Sequence, residues 1–234
     1  MNNEINNLTR ILKGYSYDQT SYIISKVRKN LGLKKIQKKT VVQPLSSEDL
    51  GRILTTAYNN KSTKGLMIQT MFCLGLRVSE LVNLKIEHFD YNGKRMYIDV
   101  AKKDSQRTVP VLSDLANLLK IHIGERKSGF IFQSQKPNML GHYRYSTARI
   151  WQIVKEAGIA SGVETEHKKI YPHKLRHTVA TFLKSKGMPI DEIQKFLGHT
   201  NISTTQIYAK TDISSLEASY YNAFGVKKKE VKLN

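Results

Sequence analysis

The chain lacks the means for an internal disulfide: its 234 residues include a single cysteine, Cys73. That cysteine lies in the apolar run Met71-Phe72-Cys73-Leu74 and reads as a core residue, which fits a reducing compartment. No apolar run reaches the roughly 20 residues a bilayer helix needs, and no secretory leader pattern is present. The expectation is a cytoplasmic protein with no membrane partner. Acidic residues are scarce, 19 against 38 Lys plus Arg, for a formal charge of +19. Such an excess points to a polyanion, most simply nucleic acid. An anionic membrane surface is the rival, but no basic amphipathic helix with an aromatic apolar face stands out. Internal repeats and low-complexity blocks are also missing. The length suits one sizeable domain with at most a small appendage.

Residues 1–43 hold nine Lys or Arg and two acidic residues. Ile5, Leu8, Ile11 and Leu12 recur at helical spacing. Tyr22, Ile23, Val27 and Leu31 do so again after the cap signals Asp18-Gln19-Thr20-Ser21. Two short helices and a polar linker, 34–39, are predicted. Pro44 opens a second region, 44–234. There Ser46-Ser47-Glu48-Asp49 starts a helix with the stripe Leu50, Ile53, Leu54 and Ala57. Leu66–Leu74 reads as a more buried helix, broken by Gly75, and a short helix follows Arg77 through Leu84. The β-rich runs 96–100 and 107–111 form a hairpin. Ser113 caps a helix to about Ile123, and Gly129–Phe132 is a strand or extended segment. A helix over 142–157 carries His142, Arg144, Arg149 and Lys155, any of which would either face DNA or form a solvated basic face. Pro172 opens a helix, 189–198 is a short one, and 214–224 is amphipathic before a basic tail.

The chemistry-bearing residues concentrate in 171–208. His173, Arg176 and His177 at i, i+3, i+4 share a helix face. His199 sits in a Leu-Gly-His turn, Tyr208 follows nine residues later, and Arg77 lies beside a glycine turn upstream. Guanidinium groups bind phosphate oxygens bidentately, His moves protons near neutral pH, and Tyr is a nucleophile once deprotonated. The set suits attack on a phosphodiester, with arginines carrying the transition-state charge. The pair His173/His177 has zinc-ligand spacing, but Lys174 stands where a zinc protease has Glu, and no third ligand or general-base carboxylate stands out. No metal or cofactor is expected. His177 is expected to be buried and hydrogen-bonded.

The motifs Gly75-Leu76-Arg77-Val78-Ser79-Glu80-Leu81, His173-Lys174-Leu175-Arg176-His177, Leu197-Gly198-His199-Thr200 and the Tyr208 of Ile207-Tyr208-Ala209-Lys210 occur in order over roughly 45–225. This ordered set resembles the tyrosine recombinase (phage integrase) family. The resemblance implies a mainly α catalytic domain with a small antiparallel β-hairpin sheet (α+β). The family's lysine lies on the hairpin, five residues before an Arg followed by an apolar-Val-Pro ending. Arg107-Thr108-Val109-Pro110 matches, which maps the lysine to Lys102, with Lys103 as runner-up. The implied catalytic set is Arg77, Lys102, His173, Arg176, His199 and Tyr208. It would perform site-specific recombination (integration, excision, inversion or resolution) through a 3′-phosphotyrosyl intermediate. The implied partners are double-stranded DNA and further copies of the chain, a tetramer on paired sites, with nucleoid association when bound; accessory DNA-bending proteins are left open. The family usually has a larger amino-terminal clamp domain, of which 1–43 is at most a remnant. The helix at 214–224 would dock on a neighbouring protomer, or else on its own domain. The alternatives are DNA relaxation like a type IB topoisomerase, or a non-catalytic DNA-binding regulator on the same fold. The second is prompted by the helix-turn-helix-like stretch 189–205.

Overall fold

The computed structural model describes residues 2–33, 42–99, 106–137, 141–198 and 213–226. The chain divides into two compact units, Met1–Val41 and Val42–Asn234. In the first, α1 spans Asn2–Leu12 and α2 spans Tyr17–Asn30. The cap of α2 is Ser16: its hydroxyl accepts from the Gln19 N–H, and the Gln19 side chain accepts from the Ser16 N–H. This reciprocal capping box satisfies two otherwise orphaned donors, so α2 starts ahead of the Asp18–Ser21 signals. No described side chain of this unit is fully buried. The linker 34–39 lies outside the described residues.

The second unit is mainly helical with one three-stranded antiparallel sheet. Ser46 caps α3 (Ser47–Asn60), which buries Leu50, Ile53 and Ala57. Next, α4 (Ser62–Cys73) is buried almost all round, from Gly65 through Cys73, as expected of a helix apolar on every side. It forms the axis against which α3, α6 (Ser113–Ile123) and α8 (Pro172–Ser185) pack. Burial pushes the Cys73 thiol up to about 12, which leaves it an inert core group.

At the end of α4 the Gly75 N–H donates to Phe72 O and the Leu76 N–H to Met71 O. This is a Schellman closure, which needs a left-handed residue at its turn. Gly75 supplies it with φ +59°, and a Cβ there would meet Leu197 and Phe196 side-chain carbons at 2.8 Å. The sequence's glycine break is thus also where a distant helix, α9, closes onto α4.

Strands β1 (Phe89–Asp90), β2 (Arg95–Ile98) and β3 (Arg107–Pro110) run in that order, with Arg95 opposite Pro110 and Ile98 opposite Arg107. Met96 and Ile98 point into the core and Tyr97 away from it, the period-2 alternation of a one-sided sheet. The hairpin expected from 96–100 and 107–111 is present, but the loop carrying Lys102 and Lys103 lies outside the described residues.

Several expected boundaries move. The short helix α5 is Val78–Val82 and does not reach Leu84. Ser113 is the first residue of α6 (Ser113–Ile123), not its cap; its hydroxyl instead accepts from Lys94 Nζ at 2.9 Å. Gly129–Phe132 is not a strand but carries a single bridge, Lys85 to Phe130. Helix α7 is Thr147–Ala160, capped by Ser146, so His142, Arg144 and Tyr145 precede it. Arg144 instead donates to Asn83 Oδ1 at 2.6 Å.

The remaining helices are α8 (Pro172–Ser185), α9 (Ile190–Leu197) and α10 (Ile213–Ala223). Pro172 occupies the first turn of α8, where its missing N–H costs nothing. The amphipathic face of α10 is seated on its own chain, one of the two placements the sequence left open. Tyr220 is fully buried and donates to Cys73 O at 2.8 Å. Arg95 pairs with Glu217 at 2.5 Å, and Phe224 packs against Phe182 with ring centroids 4.9 Å apart. An apolar face that already covers a core has no exposed stripe for a partner to bury.

Candidate active site

Helix α9 ends at Leu197, with Gly198 in the left-handed conformation. The last carbonyls of a helix have no partner within it and carry the negative end of its dipole. Three consecutive ones are taken up by three arginines from three other places in the chain. Phe196 O accepts from Arg107 Nε at 2.6 Å, Leu197 O from Arg176, and Gly198 O from Arg77 at 3.2 Å. Arg176 also donates to Gly75 O at 2.5 Å, so it staples the α4 turn to the α9 end.

The same three arginines converge on one carboxylate. Glu80 is 1% exposed, in the first turn of α5. Its Oε1 accepts from Arg77 and Arg107, at 2.8 and 3.0 Å, and its Oε2 accepts from the Arg77 backbone N–H at 2.8 Å and from Arg107 at 3.0 Å. Arg176 stands 3.7 Å from Oε2. A carboxylate offers about four lone-pair sites, and these four hydrogen bonds fill them. Three guanidinium charges against one carboxylate leave a formal surplus of +2. The Arg77 side chain is 39% exposed, whereas Arg107 is 7% and Arg176 2% exposed. Arg77 is therefore the most solvent-exposed of the three. Burial, helped by the charges of Arg77 and Arg107 and opposed by Glu80, lowers the Arg176 pKa to about 9.

His173 is exposed in the first turn of α8. Burial of part of the ring, then the charges of Arg176, His177 and Arg77, push its pKa down, so the imidazole is neutral near pH 7 and can accept a proton. His177 differs from expectation: it is half-buried, and its Nδ1 is buried without a hydrogen-bond partner. Arg77, His173 and Arg176 of the sequence-derived set thus meet at one place. Lys102, His199 and Tyr208 lie outside the described residues, although His199 directly follows the carbonyl held by Arg77. Residue-type reasoning passed over Glu80 and Arg107 as site residues. The signals available were a Glu three residues after Arg77 and an Arg opening a strand. Among the described residues no group of three or more His, Cys, Asp or Glu could hold a metal ion. No described helix is long and apolar enough to cross a membrane.

The chain matches the model of the phage integrase family over residues 43–214. It belongs to that family. Tyrosine recombinase XerA of Thermococcus kodakarensis is 31% identical over 185 residues, covering 79% of this chain and 64% of that protein. XerA of Pyrococcus furiosus is 31% identical over 188 residues, covering 79% and 63%. The chain therefore spans just under two thirds of the length of these relatives. A crystal structure of XerA recombinase aligns with a TM-score of 0.60 at 26% identity, over 93% of this chain and 80% of that one. The integrase of mycobacterium phage Brujita aligns with a TM-score of 0.65 at 21% identity, over 87% and 70%, a likeness of fold. The helical architecture and small sheet are those of the phage integrase family's catalytic domains.

The cluster has a consequence for acid stability. Burial raises the Glu80 carboxyl, but the hydrogen bonds and charge of Arg107, the Arg77 N–H and the Arg176 charge outweigh it and lower its pKa below 4.5. A carboxyl lowered on folding contributes stability that is fully present above its unfolded pKa and lost as pH falls through the folded value. Urea midpoints measured from about pH 7 to about pH 3 are expected to show Glu80→Gln well below wild type at neutral pH. The gap should narrow below about pH 4.5, the ordinary glutamate value. A gap that stays constant with pH would show that Glu80 gains nothing from its charge.

Proposed function

We propose that the chain cuts and rejoins double-stranded DNA at specific sites through a 3′-phosphotyrosyl intermediate. The observation that carries this is the arginine cluster: a formal surplus of +2, open to solvent through Arg77 beside a neutral His173. It suits a phosphate that gains charge in its transition state. The similarity to relatives named tyrosine recombinase XerA supports the same reading.

In this mechanism the Tyr208 phenol oxygen attacks the scissile phosphorus while its proton passes to His173. The bond to the 5′ oxygen breaks, and Lys102 supplies the proton that makes that oxygen a free 5′-hydroxyl. Arg77 and Arg176 hold the non-bridging oxygens, and His199 donates to the same phosphate. A 5′-hydroxyl of the partner strand then attacks the phosphotyrosine and releases Tyr208. Bond energy is kept in the phosphotyrosine, so no nucleotide cofactor enters. Recombination also implies a DNA-bound assembly of several copies, a tetramer on paired sites. The 1–43 arm would be an additional DNA-binding extension.

A nicked suicide substrate tests the reading. Wild type is expected to form a covalent protein–DNA adduct in EDTA, because the site presents cations where a metal enzyme presents carboxylates. Lys102→Ala should fail on an ordinary phosphate and be partly rescued by a 5′-bridging phosphorothiolate, whose thiolate leaves without a proton. Rescue of Lys103→Ala alone would move the role by one residue. No adduct from wild type would sink the proposal. Adducts that give relaxed plasmid but no recombined junctions would favour the topoisomerase reading.

A further inference from the structure

We propose that Arg107 is a positioning residue for strand cleavage: by occupying half of Glu80 it keeps the Arg77 and Arg176 guanidiniums free to engage the phosphate. This rests on the phosphoryl-transfer reading above.

Among the described residues Glu80 faces all three arginines, and the number of donors it takes is fixed by its four lone-pair sites. Arg107 meets both carboxylate oxygens in a fork, at 3.0 Å each. Such planar pairing is particular to guanidinium. Its Nε is simultaneously bound to Phe196 O at 2.6 Å, so the fork is aimed from the α9 end and cannot swing. The group is 7% exposed, and its Nε and both terminal nitrogens are already engaged by Phe196 O and Glu80. Arg77 reaches only Oε1 with its side chain, at 2.8 Å, and Arg176 stays 3.7 Å away.

Take Arg107 away and two lone-pair sites of a buried carboxylate lose their donors. An unsatisfied buried carboxylate is costly. The nearest cations able to relieve it are Arg176 and Arg77, both already within 4 Å. They would turn inward, and donors meant for the phosphate would be spent on Glu80. Ground-state DNA affinity, spread over many backbone contacts, would change little. The transition-state contact would be lost. The position of Arg107 at the start of β3 also makes it the residue through which the hairpin is tied to the arginine cluster.

The test compares wild type, Arg107→Met and Arg107→Lys for DNA affinity, for single-turnover cleavage of a suicide substrate, and for the pH dependence of cleavage. Arg107→Lys keeps a cation opposite Glu80 and so protects the fold, but it cannot make the fork and the Phe196 bond together. Both variants should bind DNA within about 3-fold of wild type, since most phosphate contacts are untouched. Cleavage should fall on the order of 10²-fold in Arg107→Met and about 10-fold in Arg107→Lys, the scale of a lost transition-state donor. Cleavage by Arg107→Met should recover in part toward lower pH, because Glu80, then faced by Arg77 and Arg176 alone, loses the partner that most lowers its carboxyl and on protonation releases the arginines it has drawn in. Wild-type cleavage with an unchanged pH profile in both variants overturns the proposal. So does a loss of affinity and cleavage by the same factor, which would mark Arg107 as a general support of the fold. An adduct-free wild type in the same assay would instead tell against the strand-transfer reading.

Discussion

Tyr208→Phe is expected to bind DNA nearly as tightly as wild type and to form no covalent adduct at all. In the proposed mechanism the phenol oxygen makes the new bond to phosphorus, and a benzene ring has nothing to replace it. Affinity comes from distributed phosphate contacts and survives. The structure removes the nearest substitutes. Tyr220 is fully buried, donates to Cys73 O, and is pushed well above the usual tyrosine range by burial. Tyr221 donates to Val111 O at 3.3 Å and is raised by burial and by Glu217. Neither is poised to become a phenolate. Gel-shift affinity and denaturing-gel adduct formation, measured side by side, check the prediction. A residual adduct in the variant would place the nucleophile elsewhere.

Arg176→Lys should lose cleavage by on the order of 10²-fold or more. Lys cannot donate to Gly75 O and Leu197 O while also tracking phosphate oxygens, the first two being what Arg176 does in the resting structure. A second effect adds to this. The site lowers even the arginine to about 9. A lysine starts about 2–3 units lower than an arginine, so the same burial brings it to roughly neutral pH and part of the charge goes as well. A group with a depressed pKa regains its proton as pH falls. Single-turnover rates for the variant should therefore recover in part toward lower pH, down to where the neutral His173 base is itself protonated. Near-wild-type cleavage by Arg176→Lys would show that the guanidinium is only a staple between α4 and α9.

What the sequence made legible was punctuation and residue chemistry. Gly75, Pro172 and the Ser46 cap act through local backbone geometry, so they could be read without knowing the fold, and each sits where expected. The hairpin followed from the β-rich runs 96–100 and 107–111, and the structure adds that Met96 and Ile98 are the residues it buries. Glu80 and Arg107 were not legible as a pair, because they are 27 residues apart and meet only through tertiary packing. The start of α7 was misplaced because apolar spacing runs back through Tyr145, while the Ser146 cap sets the true boundary. The seat of α10 could only be left open between two placements. An amphipathic stripe says that a helix has a partner and is silent on which chain supplies it. His177 shows the limit of motif reasoning: its place beside Arg176 was right to note, but the unpartnered Nδ1 depends on side chains from elsewhere.

The hydrogen bond from Tyr220 to Cys73 joins residues 147 positions apart. During synthesis at ~5–20 residues per second, α4 is complete roughly 7–30 s before its last partner helix exists. Through that interval the groove that will receive Tyr220 and Phe224 is open, and the apolar surface around Phe72 and Cys73 is available to other chains. The arginine cluster is bounded by the same elements, since α9 and its carbonyls emerge only shortly before α10. On the strand-transfer reading, a half-made chain would already be basic enough to meet DNA but would have no assembled centre with which to cut it, so the order of translation would itself delay strand breakage until α9 and α10 are in place.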